Sequence, residues 1–183
     1  MTITRALGIQ LTAITIALVP RATIAEVTRV EVTSRVDALS GKPFGLAGPY
    51  EKIIGKVFFA VDPDDPRNKS IVDIEKAPRD AQGRVEFSAD LYVLAPKDSA
   101  RGNGATLFDV SNRGRKNVIQ YINRGLQIAD PTTEVDYGDS FLMQHGFALV
   151  WVGWQFSVPH RDGLMGLDAP VATDHGRALT RSE

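Results

Sequence analysis

The residue types that could do chemistry here are few, and their spacing excludes most of the familiar arrangements. No serine lies in a Gly-x-Ser-x-Gly turn, whose glycines are needed because the serine sits in a strained strand-to-helix bend with close neighbours. The nearest run is Gly138-Asp139-Ser140-Phe141-Leu142. It lacks the second glycine and has no strand pattern before it, so Ser140 reads as a helix cap. The three histidines, His145, His160 and His175, are fifteen residues apart, which matches no helical metal pair. His160-Arg161-Asp162 echoes a kinase catalytic loop without the glycine-rich loop, the following asparagine or the metal-binding aspartate that such a loop requires. Gly102-Asn103-Gly104 precedes its strand, whereas a phosphate-cradling glycine turn follows one. Asn68-Lys69-Ser70 fits a glycosylation acceptor, a weak pattern. On this reading no catalytic residue, no metal site and no cofactor is identifiable.

One stretch does offer chemistry. Ala105–Gly114 runs Ala-Thr-Leu-Phe-Asp-Val-Ser-Asn-Arg-Gly. The apolar Leu107-Phe108 and Val110 predict a buried strand, and Ser111, Asn112, Arg113 and Gly114 predict a polar loop at its C-terminal end. Open α/β sheets bind ligands at such strand ends. Arg113, Arg115 and Lys116 add a basic cluster, read either as a solvated loop or as a site for an anion or carbonyl oxygen.

The elements that would hold this loop follow from periodicity. Glu26–Val36 alternates through Val30-Glu31-Val32-Thr33 as a half-buried strand does. Gly41–Pro49 reads as a loop by its glycines and prolines. Tyr50–Val61 predicts a second strand, apolar on both faces toward its end, closed by Asp62-Pro63-Asp64-Asp65-Pro66. Ser70–Ile74 predicts a short strand and Asp80–Gly83 a turn. Arg84–Ala95 shows the cleanest alternation: Val85, Phe87, Ala89, Leu91 and Val93 point inward, and Glu86, Ser88, Asp90 and Tyr92 outward. Arg115–Arg124 predicts a helix with Val118, Ile119 and Ile122 on its apolar face and Gly125 just past its end. Gln127–Gly138 reads as loop, and Ser140–His145 as a short helix stopped by Gly146. Phe147–Val152 is a continuous apolar strand of the kind found in parallel sheets. Together these predict an α/β chain: a strand-rich antiparallel N-terminal part, then a β-α-β unit that brings Leu107–Val110 beside Phe147–Val152. From Gln155 to Glu183 the periodicity dissolves into an irregular tail.

Composition sets the frame. The 183 residues are 43% hydrophobic and 23% charged, ordinary for a globular domain with a sizeable core. Arg5, the uncharged apolar stretch Ala6–Val19 and the small residues Ala22-Thr23-Ile24-Ala25 have the layout of a secretory signal peptide cleaved after Ala25. The apolar run of about 14 residues is short for a membrane span of roughly 20. Removing Arg5 and Arg21, with no acid, takes the net charge from −1 to −3. That charge recruits neither nucleic acid nor anionic lipid, and no stable membrane insertion is expected after cleavage. The absence of cysteine excludes a disulfide framework and a thiolate metal site.

The runs Phe44-Gly45, Gly48-Pro49-Tyr50-Glu51-Lys52-Ile53-Ile54-Gly55, Ala60-Val61-Asp62-Pro63, Asp65-Pro66-Arg67-Asn68, Val85-Glu86-Phe87-Ser88-Ala89-Asp90, Asn112-Arg113-Gly114, Phe141-Leu142-Met143 with Gly146, and Trp151-Val152-Gly153-Trp154 carry a resemblance. Over about residues 27–175 the chain resembles the N-terminal portion of a bacterial exported α/β-hydrolase-domain family. The resemblance implies a partial α/β-hydrolase-like mixed sheet. Residues 1–25 are then a signal peptide, 26–154 an incomplete hydrolase-like domain and 155–183 an irregular tail. It implies that Leu107–Val110 matches the strand before the oxyanion loop and Ser111–Gly114 that loop, while nucleophile, acid and histidine follow on later strands. The expectation is an exported protein, periplasmic or extracellular, that is inactive alone and acts on a small ester or amide in its full-length form. The alternative is a complete small secreted β-rich domain that binds a ligand or partner.

Overall fold

In a computed structural model the chain is described over residues 25–161 and 163–180. The predicted signal peptide therefore lies outside the described residues except for Ala25. The architecture is mixed α/β: a mostly antiparallel, partly parallel sheet with few helices. Its strands are β1 (Glu26–Asp37), β2 (Pro43–Phe44), β3 (Gly48–Val61), β4 (Val85–Pro96), β5 (Thr106–Asp109), β6 (Ala148–Val152) and β7 (Leu167–Asp168), with a separate hairpin of β8 (Thr173–Asp174) and β9 (Arg177–Ala178). The helices are α1 (Asn117–Asn123), α2 (Glu134–Tyr137) and α3 (Phe141–Gln144). None is long and apolar enough to cross a membrane.

The sheet order is β1-β3-β4-β6-β5, with β2 on β3 and β7 on β4. β3 and β4 run antiparallel from Tyr50↔Pro96 to Val61↔Val85 without a bulge, since each is a long alternating run with β-branched and aromatic side chains. β6 inserts between β4 and β5. It is antiparallel to β4 and parallel to β5, with Leu107↔Leu149 and Asp109↔Trp151. Among the described residues the only parallel pair in the sheet thus ends at the predicted loop and the outer edge of β5 is unpaired; the strand expected to be buried is an edge strand, with Phe108 and Val110 exposed.

The core lies on one face, where Tyr50, Tyr92, Leu94, Leu149 and Trp151 pack under Val118, Ile119, Leu142 and Met143 of the helices. Tyr92 meets Trp151 edge-on at 5.7 Å, and Phe44 packs edge-on between Tyr50 and Tyr137. The Tyr50 hydroxyl donates to the carbonyls of Met143 and Phe147 at 2.9 and 3.0 Å, which joins β3 to α3 and β6. A second, smaller cluster on the other face gathers Val61, Ile74 and Val85.

The structure corrects several expectations. Tyr92 does not point outward: it and Leu94 are 3% and 1% exposed in the main core, whereas Leu91 and Val93 are half-buried. Alternation marked two faces correctly, but the helices cover the even-numbered one at this end of β4. The valines of β1 are not half-buried: Val27, Val30 and Val32 are all more than half exposed, because no described element lies over that side of β1. Ser70–Ile74 is not a strand. Asp73 takes a left-handed φ of 56°, and the segment folds as turns into a short 3-10 helix at Ile74–Lys76, since β3 already has partners on both edges. Gly41–Pro49 contains β2 and a 3-10 turn at Gly45–Ala47. Gln127–Gly138 contains α2, started by a capping box in which the Asp136 carboxylate accepts from the Thr133 N–H while the Thr133 hydroxyl accepts from Asp136 N. In α1 the left-handed end is Arg124, not Gly125, and buried Asn123 replaces Ile122 on the inner face.

Candidate functional site

The loop after β5 is built from both sides. Asp109, the last residue of β5, accepts from the Trp151 indole at 2.7 Å and from the backbone N–H of Val118 at 3.1 Å. One carboxylate oxygen therefore fixes the end of β5, the neighbouring strand and the first turn of α1. Between these supports the chain turns through Arg113 and Gly114, with φ of 51° and 72°. The Arg115 N–H closes the turn on the Asn112 carbonyl at 3.2 Å.

The four predicted loop residues have different environments. Ser111 is 1% exposed, and its hydroxyl is buried with no hydrogen-bond partner. Its carbonyl accepts from the Trp154 indole. Asn112 and Arg113 are exposed and Gly114 is buried. The Arg113 N–H donates to Gln155 Oε1 at 2.7 Å and its guanidinium to Ser157 Oγ at 3.2 Å. The Gly114 carbonyl accepts from Met165 N at 3.1 Å. Thus the segment after β6 packs back over the loop. Although 155–180 holds little regular structure, Val158 and Met165 are 4% and 3% exposed, and β7 joins the sheet.

The basic cluster separates. Arg113 and Arg115 stay at the surface, whereas Lys116 turns inward and is 2% exposed. Its ammonium donates to the carbonyls of Ala129 and of Gly163, the latter at 3.0 Å, and lies 4.0 Å from the Tyr92 ring centre. Burial pulls its pKa down to about 8, against the opposing pull of Asp130. Across the ring, the Tyr92 hydroxyl donates to Asp130 at 2.8 Å, and burial raises its pKa. Lys52 binds the same carboxylate at 3.0 and 3.2 Å.

A second polar group was not anticipated from the sequence. His160 lies between two carboxylates, with Nδ1 2.9 Å from Asp90 and Nε2 3.0 Å from Asp168. Lys56 reaches Asp168 at 2.5 Å and Asp90 at 3.7 Å. Its hydrogen bond holds the Asp168 carboxyl below the usual carboxylate range, and Asp168 in turn raises the Lys56 pKa. Lys56, Asp90 and His160 line a pocket of about 350 Å³ with Tyr92, Asp130 and Met165. Both imidazole nitrogens are engaged by carboxylates, so His160 in this arrangement ties β4, β7 and the return segment together and is not free to activate a nucleophile. Residues 90, 160 and 168 come together through pairing of β4 with β7, and no local spacing announces that.

Ser140 precedes α3 with φ of 55° and makes no side-chain cap; Asp139 accepts from the Phe141 N–H instead, at 3.1 Å. The adjacent pocket holds Lys42, Glu134, Asp139 and Gln144 but no histidine. His145 is exposed against the Phe141 carbonyl, and His175 lies in the β8–β9 turn. Among the described residues no group of three or more His, Asp or Glu side chains is placed to hold a metal ion. No family model, no curated protein and no solved structure matches the chain.

Proposed function

We propose that this chain supplies the N-terminal sheet and the oxyanion loop of an exported serine hydrolase, of esterase or amidase type, whose nucleophile comes from further polypeptide. The observation that carries this reading is the β5–loop–α1 connection. A strand of the parallel pair ends in a loop with two consecutive residues at positive φ and opens directly into a helix. An oxyanion loop occupies that position in the α/β-hydrolase arrangement. Two further features support it. The outer edge of β5 is free among the described residues, and Phe108 and Val110 beside it are 56% and 63% exposed. Such an edge and patch call for a covering strand and helix. The N-terminal pattern of Arg5, Ala6–Val19 and Ala22–Ala25 supports export.

The second reading, a β-rich domain that binds a ligand or partner, draws on an apolar pocket of about 280 Å³ between Ile71–Ile74, Val61, Val85, Phe87 and Leu167. One experiment separates the two. The native protein is captured from the exported fraction with an antibody against this chain and treated with a fluorophosphonate. The hydrolase reading expects a labelled species larger than 19.9 kDa, and no labelling of the 183-residue chain by itself. An unlabelled native species of this chain's own mass refutes it. Sequencing the mature N-terminus tests export, with Glu26 as the expected first residue.

A further inference from the structure

Two contacts of the segment that returns over the loop are made at donors of the kind a ligand oxygen needs. Gln155 Oε1 takes the Arg113 N–H at 2.7 Å, and Ser157 Oγ takes its guanidinium at 3.2 Å. The backbone behind Gln155 is anchored independently of that side chain. The Leu167 N–H donates to the Gln155 carbonyl at 3.2 Å, the Trp154 indole donates to the Ser111 carbonyl, and Val158 is buried. The Gln155 side chain can therefore change rotamer without the segment lifting. A carboxamide oxygen is an sp² acceptor like the oxygen of an ester, an amide or a carboxylate. One N–H makes one short, well-aligned hydrogen bond, so Gln155 and an incoming oxygen compete for the same donor.

We propose that Gln155 is a resident plug of the loop. Its side-chain oxygen stands where a carbonyl or carboxylate oxygen of a ligand would sit, and the loop accepts such an oxygen when the Gln155 side chain swings out. Arg113 N–H is then the donor to that oxygen. This inference rests on the reading of Ser111–Gly114 as an oxygen-binding loop and assigns its regulation.

The test is a titration of the full chain with butyrate, followed at the Arg113 backbone amide by ¹⁵N-resolved NMR. Wild type is compared with Gln155→Ala, Gln155→Leu, which keeps volume without an acceptor, and Gln155→Glu, which keeps an acceptor. Unchanged resonances of Leu94 and Trp151 establish that each variant retains the core. The expected result is butyrate binding tighter by up to about tenfold, read at Arg113, in the alanine and leucine variants, and none tighter than wild type in the glutamate variant. Tenfold is the net worth of about one hydrogen bond. Equal affinity in wild type and Gln155→Ala overturns the plug and leaves the loop as an oxygen site. Absence of any Arg113 shift in every variant overturns the plug together with the oxygen-site reading, and the fluorophosphonate experiment then reports separately on the hydrolase proposal.

Discussion

Replacing Gly114 with alanine probes the contact on which the candidate site depends. A Cβ there would stand 2.6 Å from both the N and the O of Met165 and 2.9 Å from Val158 Cγ1. Two of those atoms are backbone, and Met165 and Val158 are both buried, so nothing nearby yields cheaply. Placing alanine at a φ of 72° costs about 1–2 kcal/mol. Displacing the return segment weakens the Met165 N–H bond to the Gly114 carbonyl, worth about 1 kcal/mol, and strains the packing by about 1–3 kcal/mol. The expected loss is about 3–6 kcal/mol, a large share of a stability of roughly 5–15 kcal/mol. With a urea slope of about 2 kcal/mol per molar, the unfolding midpoint falls by about 1.5–3 M. Gly83→Ala is the control: its φ is 81°, and no atom lies within 4 Å of the added Cβ. It bears the conformational cost alone and moves the midpoint by about 0.5–1 M. Equal shifts in the two variants would refute the reasoning, because Gly114 would then be under no steric pressure from the return segment.

Lys116 gives a pH signature. Its pKa falls from 10.5 unfolded to about 8 folded, so between these values the unfolded chain binds the extra proton and stability rises with pH, by up to about 3 kcal/mol. The destabilisation is fully present below about pH 8. Urea unfolding from pH 7.5 to 10.5 should show this rise in wild type and its loss in Lys116→Met; identical slopes reject it. Asp136→Ala removes an acceptor held below the usual carboxylate range by the Thr132 N–H, and then by that of Thr133. It should cost about 0.5–2 kcal/mol by thermal melt, and no change argues against the capping box. Phe108→Ser, at a 56% exposed position on the face beside the open edge, should change stability by less than about 0.5 kcal/mol while reducing binding of an apolar dye. A loss above 2 kcal/mol means that the phenylalanine is covered.

Several elements were legible along the chain because their causes are local. The alternation of Tyr50–Val61 and Arg84–Ala95, the apolar run of Phe147–Val152, and the Asp80–Gly83 turn, where Asp80 Oδ1 accepts from Gln82 and Arg84 N–H, each reflect residues within a few positions of one another. The loop at Ser111–Gly114 was visible for the same reason: an apolar strand pattern gives way abruptly to turn-forming polar residues. Lys116 was misplaced because a lysine beside two arginines looks solvated until a carbonyl pair and an aromatic ring are brought to it from Ala129, Gly163 and Tyr92.

The sequence by itself determined where the long strands β3, β4 and β6 form and how they alternate, since backbone sterics and side-chain period act over a few residues; the short pairings of β2 and β7, and the turns at Ser70–Ile74, were set by the tertiary structure. The tertiary structure decided which face of β4 became core, that His160 sits between Asp90 and Asp168, and that Gln155 occupies the Arg113 N–H. Each of these joins residues eight to seventy positions apart, through sheet pairing and helix cover that no local spacing encodes.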